Sequence, residues 1–210
     1  AGIAKLPRDD RGYPVPWFVA WVDGKPEFRC ASPMKVRQAI MERRCWVCGE
    51  EFPDSIFGFV IGPMCMVNRV SGEPPSHPEC AFYSAIACPF LTKPKAQRRD
   101  ANLPDDAYDP AGMIERNPGV ALVWITSYYQ IEQPPDARSM LWRLTRDPAE
   151  LHFFCEGRKA TRDEIMHSIT TGLPGLEKMA YAEGPDAVLE LAKMVNQAMR
   201  FVPGFQDAKV

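Results

Sequence analysis

The sequence predicts an α+β protein, and three observations predict it. Two pairs of metal-ligating residues, in Cys45-Trp46-Val47-Cys48 and His77-Pro78-Glu79-Cys80, bracket an apolar ribbon. A polar stretch over 100–118, rich in Pro, Asp and Gly, divides the chain. Beyond it strand-like runs come first and helix-like runs follow, without the strand-helix alternation of a parallel sheet. The expected organisation is a flexible arm over 1–12, a zinc-binding lobe with a β-hairpin over 13–99, a connector over 100–118, and a lobe over 119–210 made of an antiparallel β-meander followed by helices.

Composition sets the outer limits. With 210 residues the chain is long enough to bury a core, and its net charge of −2 with 46% apolar residues excludes a disordered polyelectrolyte. No apolar run reaches the length a bilayer-spanning helix needs, and no signal peptide is read, so a membrane partner is not expected. Seven cysteines, an odd number with two metal-like pairs, point to a reducing cytoplasm rather than to a disulfide framework.

In the N-terminal half, Pro14 and Pro16 keep the backbone extended into Trp17-Phe18-Val19-Ala20-Trp21-Val22, and Asp23-Gly24 before Glu27-Phe28-Arg29-Cys30 signals a hairpin. Ser32-Pro33 opens a helix with Val36, Ala39 and Ile40 inward and Lys35, Arg37, Arg43 and Arg44 outward. Between the ligand pairs, Ile56–Ile61 and Met64–Val67 are short apolar runs broken by Gly62-Pro63, the pattern of a second hairpin. Ser76 is the candidate N-cap of a helix in which Ala81, Phe82, Ala85 and Ile86 keep helical spacing until Pro89.

Cys45, Cys48, His77 and Cys80 are the predicted ligands of one zinc ion. Thiolate and imidazole suit the ion, each two-residue spacing lets a pair occupy two corners of a tetrahedron, and Gly49 permits the turn behind the first pair. Four protein ligands close the site, which makes the zinc structural. The alternative is a zinc-dependent hydrolase or deaminase in which Glu79, in His77-Pro78-Glu79, shuttles a proton; it requires Cys80 to leave the metal. A nuclease of the His-Cys finger type would need a base histidine near the finger, and His152 and His167 are far along the chain.

In the C-terminal half, Val120–Ile125 continuing towards Ile131 is the expected central strand, Pro134-Pro135-Asp136 a turn, and Met140–Leu144 and Leu151–Cys155 two further strands. Thr161-Arg162-Asp163-Glu164 is a capping box for a helix to about Thr170, which Gly172 breaks. A second helix is expected over Gly175–Ala182. A third follows Gly184-Pro185-Asp186, with Val188, Leu191, Ala192, Val195 and Met199 at helical spacing until Pro203.

A knuckle, a hairpin and a helix that donates the last two ligands make this stretch similar to treble-clef zinc fingers. Together with Tyr13-Pro14-Val15-Pro16-Trp17-Phe18, Gly62-Pro63-Met64-Cys65 and Cys88-Pro89-Phe90-Leu91, the chain resembles a family of uncharacterised bacterial and phage proteins, which implies no established activity. Lys35, Arg37, Arg43 and Arg44 precede the zinc residues, and Lys93, Lys95, Arg98 and Arg99 follow them. These eight are the candidate phosphate contacts if the partner is nucleic acid. The charge asymmetry is modest, with 14 cations against 11 carboxylates in residues 1–100 and 11 against 16 beyond. The expected function is therefore a zinc-stabilised binding or adaptor module for a protein or nucleic-acid partner. A further possibility is a small-molecule site walled by Trp17, Trp21, Trp46 or Trp124.

Overall fold

The computed structural model describes residues 2–98, 117–133 and 140–205. Its N-terminal elements are β1 (Val19–Val22), β2 (Lys25–Ala31), α1 (Pro33–Met41), β3 (Phe57–Ile61), α2 (Pro63–Asn68), β4 (Val70–Ser71), α3 (Pro78–Ala87) and α4 (Pro89–Thr92). Then come β5 (Ala121–Thr126), β6 (Gln130–Glu132), β7 (Leu141–Arg143), β8 (Glu150–Cys155), β9 (Arg158–Lys159), α5 (Arg162–Glu183) and α6 (Pro185–Met199). This is a mixed α/β fold with antiparallel sheets, as the sequence predicts. Among the described residues no helix is long and apolar enough to cross a membrane.

The main sheet has the order β3-β5-β8-β9. Its central strand β5 is buried at every position, because helices cover both faces. Alternate residues serve alternate layers. Val123 and Ile125 pack with Ala81 and Ala85 of α3, whereas Leu122 and Trp124 join Phe57, Phe59, Ile165, Ile169, Ala198 and Val202 in the larger core. A three-stranded sheet, β4-β7-β6, and the hairpin β1-β2 complete the strands. In that hairpin Asp23 and Gly24 both have positive φ, 49° and 74°, as a tight Asp-Gly turn requires.

Four local expectations are corrected. Residues 64–67 are helical rather than the return strand of a hairpin: Gly62 is extended, Pro63 occupies the first helical position, and Met66 and Val67 are buried. A four-residue apolar run fits either period, and the partner that β3 needs is supplied by β5, with Phe57 opposite Thr126 and Ile61 opposite Leu122. The C-terminal strands are antiparallel but do not form a sequential meander, since β5 and β8 pair in one sheet and β6 and β7 in the other. Thr126 separates β5 from β6: its Oγ1 accepts from Tyr128 N–H at 3.2 Å and donates to Tyr128 O at 3.0 Å. Finally, α5 runs unbroken through Gly172 and Pro174. A Cβ on Gly172 would come within 3.0 Å of Met64, so the glycine is a close packing contact with α2 rather than a helix end. The capping box at Thr161 and Glu164 is present.

Of the arm expected over 1–12, the residues from Gly2 onward are described. Gly2–Lys5 form a 3-10 turn, and Ile3 and Leu6 pack on Cys45, Val47, Cys48 and Cys80. Two apolar side chains within a single short turn are too few to give a periodic signal. Residues 100–116 of the connector expected over 100–118, Arg99 and the turn at Pro134-Pro135-Asp136 lie outside the described residues.

Candidate metal centre

Cys45 and Cys48 sit on a knuckle whose backbone closes on itself. Gly49 N–H donates to Cys45 O at 2.8 Å, and Cys45 N–H donates to Glu50 O at 2.8 Å. Gly49 has φ of 75°, and a Cβ there would meet the Trp17 ring at 2.5 Å, so both the turn and the packing demand glycine. Arg44 holds the knuckle from outside, donating to Gly49 O at 3.1 Å while pairing with Glu42 at 2.6 Å and Glu51 at 3.5 Å.

The second pair rides on the start of α3. His77 is the N-cap and Pro78 the first helical residue, one position later than the sequence suggests. Ser76 instead forms a reciprocal pair of 2.8 Å backbone bonds with Gly58 of β3. That bridge presses β3 against the helix: a Cβ on Gly58 would stand 2.8 Å from Ala81 Cβ and 3.2 Å from Pro78 Cα.

The two pairs converge. The ligand atoms of Cys45, Cys48, His77 and Cys80 all lie within 4.8 Å of one another, and all four residues are buried. His77 Nδ1 is 3.4 Å from Cys48 Sγ and 3.9 Å from Cys80 Sγ. Tetrahedral zinc with bonds near 2.3 Å to sulfur and 2.0 Å to nitrogen sets ligand separations of about 3.5–3.8 Å, close to the two distances from His77 Nδ1 to the thiols. On the far side of the ring, His77 Nε2 lies 3.1 Å from Glu51 O. An N–H donated there leaves the Nδ1 lone pair turned towards the thiols. Phe52 fixes the ring's position, 4.8 Å from it and 4.9 Å from Phe57.

The charge logic also fits a cation. Hydrogen bonds from the Cys48 and Cys80 thiols hold Cys45 at about 2, and that same sharing pushes Cys48 up to about 11 and Cys80 higher still. Three buried thiols this close ionise together only when a positive ion sits among them. The residues can therefore hold a metal ion, and the three-sulfur, one-nitrogen donor set is one that zinc takes.

The other singled-out residues fall in different places. Glu79, the alternative proton shuttle, is exposed in the first turn of α3 and lines an open cleft of 360 Å³ with Glu50, Glu51, Asp54, Ile56 and His77. Lys35 donates to Val19 O at 3.3 Å and lies 5.9 Å from the Trp17 ring centre, and burial lowers its pKa. Arg43 lies over Phe57 and Arg98 over Phe90, at 5.6 and 4.8 Å. Arg37, Lys93 and Lys95 are exposed. Cys65 and Cys88 stand outside the ligand cluster, and burial pushes both thiols up. Of the tryptophans, Trp46 is stacked on Phe18 and Trp124 is fully buried in the core, so neither offers an open wall.

Sequence reasoning missed the parts of the site that lie outside the ligand motif. Gly2 backs onto Cys48, where a Cβ would come within 2.7 Å of its Cβ and Sγ. Glu51 meets the His77 ring through its carbonyl, which no side-chain pattern can announce. Arg44 was visible only as a cation. No family model, curated protein or solved structure matches the chain.

Proposed function

We propose that the protein is a binding or adaptor module built on a structural Zn²⁺ held by Cys45, Cys48, His77 and Cys80. The observation that supports this reading is that four buried protein donors lie within 4.8 Å of one another; with all four on one ion, Cys80 would take the corner that a catalytic zinc leaves for water. The ion would neutralise the thiolates and tie the knuckle to the N-terminus of α3, so that a short loop-rich segment keeps one shape. Glu79 stands on the solvent side of this arrangement, and a hydrolase or deaminase would first have to displace Cys80.

A protein partner is favoured over nucleic acid. Lys35, Arg43, Arg44 and Arg98 are spent on carbonyls, carboxylates and aromatic rings of the fold itself. Among the described candidates, phosphate contacts would fall to Arg37, Lys93 and Lys95, a sparse set for a backbone-tracking surface.

The test is metal analysis of the purified protein and of Cys80→Ser, with X-ray absorption at the zinc edge. One zinc with three sulfurs and one nitrogen, lost in Cys80→Ser, is the expected result. A zinc with a bound water that survives Cys80→Ser would overturn the structural assignment and make Glu79 the residue to assay. Electrophoretic shifts on oligonucleotides are expected to be absent at 150 mM salt, the order of physiological ionic strength.

A further inference from the structure

The four most exposed large apolar side chains of the described residues form two sets. Met41 and Met34, 73% and 67% exposed, belong to α1; Tyr181 and Leu189, 71% and 63% exposed, belong to the junction of α5 and α6. Burial of this much apolar surface on a partner is worth more than leaving it in water, and methionine and aromatic residues are enriched where proteins meet.

On α1, Met34, Arg37 and Met41 follow at i, i+3 and i+7, so they share one helix face, and all three are exposed, while Ala39 is buried behind them. Over 32–44, Lys35 donates to Val19 O, Arg44 pairs with Glu42 and Glu51, and Arg43 lies over Phe57, which leaves the exposed Arg37 as the cation set between the two methionines. At the other surface, Gly184, with φ of 124°, caps both helices and lets α6 turn back from α5. Tyr181, Gly184, Pro185, Val188 and Leu189 line an almost wholly apolar cleft there of 450 Å³. Its flanking sequence, 177–193, carries Glu177, Glu183, Asp186 and Glu190 against Lys178 and Lys193. One surface is thus a narrow apolar stripe carrying Arg37, and the other a shallow apolar cleft flanked by Glu177, Glu183 and Asp186 against Lys178, Glu190 being paired with Lys193 at 3.4 Å.

We propose that the chain associates with a second copy of itself head to tail, the Met34-Arg37-Met41 face of α1 seated in the Tyr181-Leu189 cleft of the next molecule. The methionines fill the cleft, and Arg37 meets the carboxylates beside it. Because the two surfaces differ, the contact is heterologous, and each molecule added presents a fresh α1 face and a fresh cleft. Neither surface includes a metal ligand, so self-association goes beyond the metal-centre reading and is separable from it.

Sedimentation velocity of the full-length, metal-loaded chain over a range of concentrations tests this. The wild type is expected to form a concentration-dependent series of species that higher salt shifts towards monomer. Met34→Ser/Met41→Ser and, separately, Tyr181→Ser/Leu189→Ser change only exposed side chains, and each is expected to remain monomeric with unaltered near-ultraviolet circular dichroism. Mixing the two variants in equal amounts is the decisive step: one intact α1 face and one intact cleft remain, so the mixture is expected to give a 1:1 dimer that grows no further. A wild type that is monomeric throughout, a dimer that survives in both variants, or a mixture that stays monomeric would each overturn the proposal.

Discussion

The metal knuckle and the sheet core hold their shapes by different means. Around Cys45, Cys48, His77 and Cys80 the buried apolar cluster is small, with Val47 its only buried aliphatic and Ile3, Leu6 and Phe52 packed at its edge. Around β5 a much larger set of aromatic and aliphatic side chains is withdrawn from water, including Trp124, Phe59, Leu122, Met66 and Ile165. The knuckle therefore depends on what its donors bind, whereas the core depends on how much surface it buries. Phe57 and Gly58 of β3 are the seam between them, since β3 bonds to Ser76 on one edge and to β5 on the other.

The largest expected effect breaks one side of that comparison. Structural zinc contributes on the order of 10 kcal/mol or more to the folding of small metal sites, so Cys80→Ser or chelation is expected to unfold the knuckle. Hydrogen exchange checks it: amides of Trp46 and Gly49 lose protection while those of Leu122–Ile125 keep theirs. Equal loss in both regions would show one cooperative unit instead of two.

Next, Trp124→Ala attacks the other side. Its ring is fully buried, 5.7 Å from Phe201 and 4.7 Å from the Arg69 guanidinium, and its truncation is expected to cost about 3–5 kcal/mol in chemical denaturation. Zinc stoichiometry should stay at one. The seam itself is sharpened by Gly58→Ala, where the added methyl must displace Ala81 or Pro78; overpacking of this kind costs about 1–3 kcal/mol, and both the metal affinity and the midpoint of unfolding are expected to fall.

Smaller effects belong to α5, remote from the metal. Thr161→Ala removes the side chain that accepts from Glu164 N–H, with an expected loss of about 1 kcal/mol in thermal unfolding and no change in zinc content. The Arg158 guanidinium, followed by Thr161 N–H, holds the Glu164 carboxyl below its ordinary range. A carboxyl depressed in the folded state stabilises above the unfolded-state value and loses that contribution as pH falls through the folded one. Glu164→Gln is therefore expected to lower stability near neutrality and to flatten the acid limb of the unfolding curve.

The convergence of Cys45, Cys48, His77 and Cys80 was legible in the sequence because chelation imposes spacing on neighbouring residues. So were Asp23-Gly24, the Thr161 capping box and the buried run of β5, each a local signal with one local cause. What was not legible depends on residues far apart. Met64–Val67 fits a strand or a helix by pattern, and the helix is distinguished only by distant partners: β5 takes the edge of β3, and Met64 packs on Gly172. The pairing of Phe57 with Thr126 leaves no mark in either strand. Arg44 reads as a surface cation until Gly49 O and the carboxylates of Glu42 and Glu51 are found around it.

The pairing of β3 with β5 also sets an order of events during synthesis. The knuckle and the start of α3 leave the ribosome as a contiguous stretch, and the four donors can meet an ion as soon as Cys80 is out. Phe57–Ile61 must then wait, one edge already bonded at Ser76 and the other open, until Ala121–Thr126 arrives more than fifty residues later. Early metal capture would give that waiting strand a fixed anchor while its remaining edge is still unclaimed by any partner.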